Sequence, residues 1–280
     1  VSPPTPSRSV RPAAVAGRFY PDDAATLRTT VDDELAKAPP WTGPVPEALI
    51  VPHAGYVYSG PIAATGYATL AAARDTIRRV VLLGPAHYVG FEGVGVSSAD
   101  AFATPLGNVP IDRELRARVL ELPGVRVQDV AHGPEHSLEV HLPFLQRALA
   151  DFSLLPLVVG RARADVVATV LDAVWGGPDT LVIVSTDLSH YLDHDAAARR
   201  DRATVANVMN GALDNIAPED ACGAYPLRGL LTAARTRGLE VELLDLRNSG
   251  DTAGPRDRVV GYAAFALLPA PTSFGRSLVP

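Results

Sequence analysis

ALIVPHAGYVYSG, residues 48–60, opens on an uninterrupted apolar run, turns at Pro52 and delivers His53 ahead of a Gly/Tyr loop. A short apolar run of this kind reads as a strand buried on both faces, the strand type of parallel sheets. Pro52 has no ladder donor and Gly55 permits tight turning, so the backbone leaves the strand there and presents the imidazole at a loop mouth. The pattern recurs. RRVVLLGPAHYVG (78–90) turns at Gly84 and Pro85 before His87, and LVIVSTDLSH (181–190) carries Asp187 and His190 beyond its apolar run. Open α/β sheets bind ligands at the carboxyl ends of their strands. Separate strand ends that deliver imidazole and carboxylate to one rim point to a mononuclear metal site. Each residue also has a structural reading: His53 as a bond to a helix end or backbone carbonyl, and Asp187 as a helix cap.

Working outward, strands and helices alternate. The spacing predicts helices over 22–38 and 61–73, with strands over 48–52 and 80–83. Residues 91–112 read as a β-hairpin excursion. The second half predicts a helix over 138–149 that Pro143 kinks or starts, helices over 163–175, 194–210 and 227–237, and strands over 153–159, 181–185, 241–246 and 259–267. The expected fold is α/β: a mostly parallel central sheet with helices on both faces, closed by a pair of strands that could be antiparallel. Residues 1–10, rich in Pro and Ser, read as a flexible tail, and 11–280 as one domain.

Composition narrows the function. The 280 residues are 47% hydrophobic and 20% charged, with a net charge of −6 and no cluster of Lys and Arg interleaved with aromatics. Nucleic acid and anionic membrane are therefore disfavoured as partners. The single cysteine, Cys222, rules out an intrachain disulfide and a thiolate-rich zinc site. No apolar segment reaches the roughly 18 residues needed to span a bilayer, and the start of the chain lacks a signal-peptide core, so a cytoplasmic protein is expected.

HGPEHSLEVH (132–141) concentrates histidine and glutamate. On a helix Glu135, His136 and Glu139 would share one side, but the HExxH order of zinc hydrolases is absent, so the segment reads as a supporting wall around the site. RNSGDTAGP (247–255) offers Asp251 at another strand end, as a ligand or as part of a plain turn. Cys222, in DACGAYPL, lies away from any expected strand end and reads as a buried thiol. No nucleotide-binding glycine loop and no GxSxG elbow occur.

VAGRFYP (15–21), VPHAGYVYSG (51–60), LLGPAHYVG (82–90), EHSLEVHLPF (135–144), VSTDLSHY (184–191) and VVGYAAFAL (259–267) together resemble the Memo family, known in prokaryotes also as AmmeMemoRadiSam system protein B. The resemblance implies a fold similar to class III extradiol dioxygenases, which hold non-haem Fe(II) with two histidines and a carboxylate. It implies His53 and His87 as metal ligands, His190 as the acid-base catalyst and Asp187 as its acidic neighbour. Where eukaryotic Memo proteins place a cysteine ligand this chain reads NSGDTAG, leaving Asp251, Thr252, His190, Asp187 or water to complete the shell around Fe(II) or copper. Tyr56, Tyr88 and His141 are expected to meet the substrate, and Tyr58 to line the cleft. The expected activity is that of a dioxygenase-like oxidoreductase acting on a small molecule. The alternative is an adapter with a vestigial metal site that binds a peptide or the Amme-domain and radical-SAM proteins implied by the family's name.

Overall fold

The computed structural model describes residues 9–270. Its strands are β1 (Val10–Arg11), β2 (Ala48–Val51), β3 (Arg79–Pro85), β4 (Val94–Val96), β5 (Ala101–Thr104), β6 (Gly107–Pro110), β7 (Val125–Val127), β8 (Ser153–Val159), β9 (Thr180–Ser185), β10 (His190–Leu192), β11 (Leu239–Asn248) and β12 (Val259–Pro269). The first helices are α1 (Ala24–Lys37), α2 (Tyr56–Ala68), α3 (Arg113–Leu120) and α4 (Asp129–His132). They are followed by α5 (Leu142–Ala148), α6 (Ala164–Val174), α7 (His194–Met209), α8 (Ala224–Thr236) and the single turn α9 (Ser249–Thr252).

The main sheet runs β10-β12-β2-β9-β3-β8-β4-β7, with β11 paired to β12. Its centre, β2-β9-β3-β8, is parallel, while β12 joins β2 antiparallel and β4 joins β8 antiparallel. The closing pair β11-β12 is antiparallel, one of the two arrangements the sequence left open.

Every residue of β2 and β9 is buried, so alternation decides which face each side chain fills rather than whether it meets water. Leu49, Val51, Val80, Leu82, Leu181 and Ile183 pack with α1, α2 and α5 on one face. Ile50, Val81, Leu83, Val182 and Val184 pack with α3, α6, α7 and α8 on the other. The carboxyl ends of β2, β3 and β9 therefore emerge side by side between two helical layers, and the loops after them carry His53, His87 and Asp187.

Three expectations need correction. Val10, within the expected tail, joins Arg11 in a strand that pairs in parallel with β5 in a small sheet β1-β5-β6; residues 1–8 of the expected tail lie outside the described residues. The excursion 91–112 is a hairpin only over β5-β6, because Val94–Val96 enters the main sheet between β8 and β7. The helix expected over 138–149 begins with a 3-10 turn at Glu139–His141, and Pro143 occupies the first turn of α5, where its missing N–H costs nothing. Among the described residues no helix is long and apolar enough to cross a membrane.

One buried carboxylate fastens the amino-terminal segment over this scaffold. Glu139 accepts from the Arg11 guanidinium at 2.6 Å, the Tyr20 hydroxyl at 2.6 Å and the backbone N–H groups of Ala14 and Val15. Both members of the Arg11–Glu139 pair are buried. Breaking a buried pair from one side leaves an uncompensated charge. Glu139→Ala is accordingly expected to lose about 3–5 kcal/mol of stability in urea denaturation. A loss below about 1 kcal/mol, the size of an exposed pair, would show that this carboxylate is not the fastener.

Candidate metal centre

The segment after α4 cannot continue as helix, because Gly133 and Pro134 interrupt it, and it crosses the end of β3 as a loop. Its approach is close enough that a Cβ at Gly84 would stand 2.7 Å from Ser137 Oγ and 2.9 Å from Leu138. This brings His136 over the loops that carry His53 and His87. One ligand atom from each of the three imidazoles lies within 4.8 Å of the other two. The His87 and His136 rings stack with centroids 4.6 Å apart, and His53 meets both edge-on. That spacing could hold one metal ion.

Hydrogen bonds fix how two of these rings present themselves. Ser185, the last residue of β9, donates its hydroxyl proton to the Ser137 carbonyl at 2.7 Å. A hydroxyl has one proton to give, so its contacts to His53 Nδ1 at 2.6 Å and His141 Nε2 at 2.8 Å are bonds it accepts. His53 therefore carries its proton on Nδ1 and turns the Nε2 lone pair outward. The Tyr67 hydroxyl closes the chain by donating to His141 Nδ1. His87 is held similarly. Burial opposes ionisation of Glu135, but hydrogen bonds from the His87 ring and backbone and from Ser137 hold its carboxyl down to about 2. The carboxylate accepts a hydrogen bond from His87 Nδ1–H and leaves Nε2 free. An imidazole anchored through one nitrogen, with the other free, is the usual state of a metal-ligating histidine.

Electrostatics agree with neutral rings at His53 and His136. Burial pushes His53 well below the ordinary imidazole range, helped by the neighbouring His87 and His136, and lowers His136 to about 4. Beside them, burial raises the Asp187 carboxyl to about 7, against the pull of the His53 backbone N–H that donates to it at 2.7 Å. His190 is lowered by burial, with a hydrogen bond at the Leu188 backbone acting the other way. Asp187, His190, Tyr58 and Tyr88 line one cavity of about 530 Å³ with the three histidines.

Not every expected residue reaches it. Tyr56 is buried and donates to the Val140 carbonyl, and His141 stands behind His53 as the second donor to Ser185, so neither can meet a substrate. Asp251 accepts from His194 at 2.7 Å and from the Asn248 backbone in a capping box, which consumes both its oxygens away from the cluster. The expected supporting wall, by contrast, supplies His136 itself. Cys222 is not remote either. Gly223 packs so tightly on β9 that a Cβ there would stand 2.6 Å from the Ser185 carbonyl, and this seats the Cys222 thiol 3.3 Å from His53 Nε2. The Gly133-Pro134 break was the available signal that helical spacing does not govern His136; nothing in the sequence marks Cys222.

A family model described as Memo-like protein matches residues 11–266. The chain belongs to the Memo family. A MEMO1 family protein of Aquifex aeolicus is 36% identical over 275 residues, covering 92% of this chain and 99% of that one. One of Methanopyrus kandleri is 38% identical over 287 residues, covering 92% and 98%. Among solved structures, an uncharacterized protein from Escherichia coli K12 superposes with a TM-score of 0.51 at 14% identity, covering 78% of this chain and 98% of that one. That likeness concerns the fold alone. The Memo fold here is the parallel-centred α/β sheet anticipated from the alternation of elements.

The buried neutral histidines of this Memo protein carry a pH dependence. Burial lowers His132 and His136 to about 4 and His141 to about 3, whereas the unfolded chain takes up these protons near 6.5. Below that value the unfolded state binds more protons, so stability falls with falling pH from about 6.5 toward 4. The urea midpoint of metal-free protein should drop clearly between about pH 7.5 and about pH 5; an unchanged midpoint would contradict the burial of neutral rings.

Proposed function

We propose that this chain is a mononuclear metal protein of the non-haem dioxygenase-like type, with His53, His87 and His136 as ligands and a small molecule as substrate in the adjoining cavity. The observation that supports it most is the anchoring of two imidazoles: Ser185 and Glu135 each accept a hydrogen bond from an Nδ1–H and leave the Nε2 lone pair for the cluster. Neutral imidazoles suit a borderline ion such as Fe(II), zinc or copper, and suit magnesium or calcium poorly. We assign Fe(II), with copper as the alternative. Bound with open positions, such an ion supplies Lewis acidity and, if redox-active, dioxygen chemistry.

The chain's own groups supply the proton handling. His190 is neutral near pH 7 and offers a lone pair to a substrate hydroxyl. Asp187, raised to about 7, populates both protonation states near neutrality and can return a proton. Their position on one cavity wall lets a ligand contact both while its other end faces the histidines.

Alanine at His53, His87 or His136 should each lower metal stoichiometry, measured by elemental analysis after loading, far more than alanine at the remote His132. Equal metal content in all of these variants sinks the three-ligand assignment. Ser185→Ala, which releases the His53 tautomer, should weaken metal binding about 10- to 100-fold in chelator competition. His190→Gln should keep its metal, while oxygen uptake with a panel of catechols falls about 10²- to 10⁴-fold. Fe(II)-loaded wild type that consumes no oxygen with any member would favour the adapter reading.

A further inference from the structure

The cavity beside the histidine cluster has one guanidinium in its wall, Arg258, and that group is uncommitted. Neighbouring arginines are occupied: Arg247 pairs with Asp245, and Arg256 bonds to His194. Among the described residues Arg258 makes no salt bridge. Its guanidinium instead lies over the Tyr191 ring, 4.4 Å from the centroid. Stacking of this kind leaves the in-plane N–H donors free for a planar anion.

Tyr191 is held in place at a conformational cost. Its φ of +62° makes it the one non-glycine residue with positive φ among those described. A bulky side chain in the left-handed region is an outlier, and such strain clusters at ligand-contacting sites. The cause is local. The register of β10 on β12 shifts between His190, opposite Val260, and Leu192, opposite Val259, so Tyr191 is the residue extruded between them. Bulges of this kind re-aim side chains. Here the bulge turns the Tyr191 ring under Arg258, which immediately precedes β12, and sets both beside His190.

We propose that Arg258, carried on Tyr191, is the carboxylate anchor of the cavity, and that the site takes a small aromatic acid. Charge and shape agree. The three imidazoles contribute no anion, and Asp187, the one carboxylate in the wall, is engaged by the His53 backbone N–H and makes no ion pair with Arg258, so the guanidinium is left to an anionic ligand. Phe19, Tyr58, Tyr88 and Tyr262 supply aromatic surface that favours a ring over an aliphatic chain. The ligand's orientation, with its far end toward the histidines, rests on the metal-centre reading; the preference for an anion does not.

The test uses the full chain, as purified and after EDTA treatment, titrated calorimetrically with benzoate and with neutral benzamide at constant ionic strength. Benzoate should bind at least about tenfold more tightly in both forms, the range expected for a charge-assisted hydrogen bond. Arg258→Gln should abolish the preference, Arg258→Lys should keep part of it, and Tyr191→Gly, which relieves the backbone strain but removes the shelf, should weaken benzoate binding. Both residues are exposed, and circular dichroism checks that the variants fold. Several results would overturn the proposal: equal binding of the two probes, no saturation of either by about 10 mM, or a preference that survives Arg258→Gln. A preference lost on EDTA treatment would also overturn it, by assigning the anion to the metal. If the histidine variants retain metal while benzoate is still preferred, the metal-centre reading fails and the anchor stands.

Discussion

The Ser185 hydroxyl has one proton, and the Ser137 carbonyl takes it. Which nitrogen is protonated on each of the two imidazoles that meet it follows from that commitment, while Glu135 sets the tautomer of His87. With its proton spent, Ser185 can only accept, so it dictates the tautomers of His53 and His141 together, and Tyr67 completes the chain as donor to His141. The arrangement needs β9 to end at that residue and segment 135–138 to lie against β3, an approach that Gly84 permits by having no side chain. A one-residue slip of β9 would turn the hydroxyl to the opposite face of the sheet and leave His53 Nδ1 buried without a partner.

Two carboxylates four residues apart divide the remaining work. Glu135 faces the cluster and is stabilised by hydrogen bonds from His87 and from the backbone N–H groups of His136 and Ser137. Glu139 faces the amino-terminal segment and is stabilised by Arg11, Tyr20 and two backbone amides. Each is buried, and each is tolerable only because its oxygens are multiply bonded. The segment between them is therefore pinned from both ends, which positions His136 without any regular secondary structure.

The sequence made the strand ends legible because burial on both faces writes continuous apolar runs, and Pro or Gly marks where the chain leaves them. His53, His87 and Asp187 follow from that alone. His136 does not, because helical spacing carries no information over a stretch that Gly133 and Pro134 keep from being helical. Tyr56 and His141 are illegible for another reason: proximity in sequence to a site residue does not say which side of the loop a side chain takes. Tyr56 turns inward to Val140 and His141 backs onto Ser185. Cys222 reaches His53 only through the tight packing of Gly223 on β9, a contact between residues far apart in the chain that no local pattern encodes.

The thiol contact bears on how the His53 ring is held within the cluster. Cys222 Sγ accepts from the Asp187 backbone N–H and lies 3.3 Å from His53 Nε2 and 3.7 Å from the Asp187 carbonyl oxygen, so the lone pair that a metal would use faces a weak S–H donor with a second acceptor beside it. A hydroxyl or amide there would bind the nitrogen more firmly and compete harder with an incoming ion. Burial and the nearby Asp187 keep the thiol protonated, so it can act as that donor. Ser185 on one nitrogen and Cys222 on the other thus hold the buried imidazole at both edges, strongly where the tautomer must be set and weakly where a ligand bond can replace the contact.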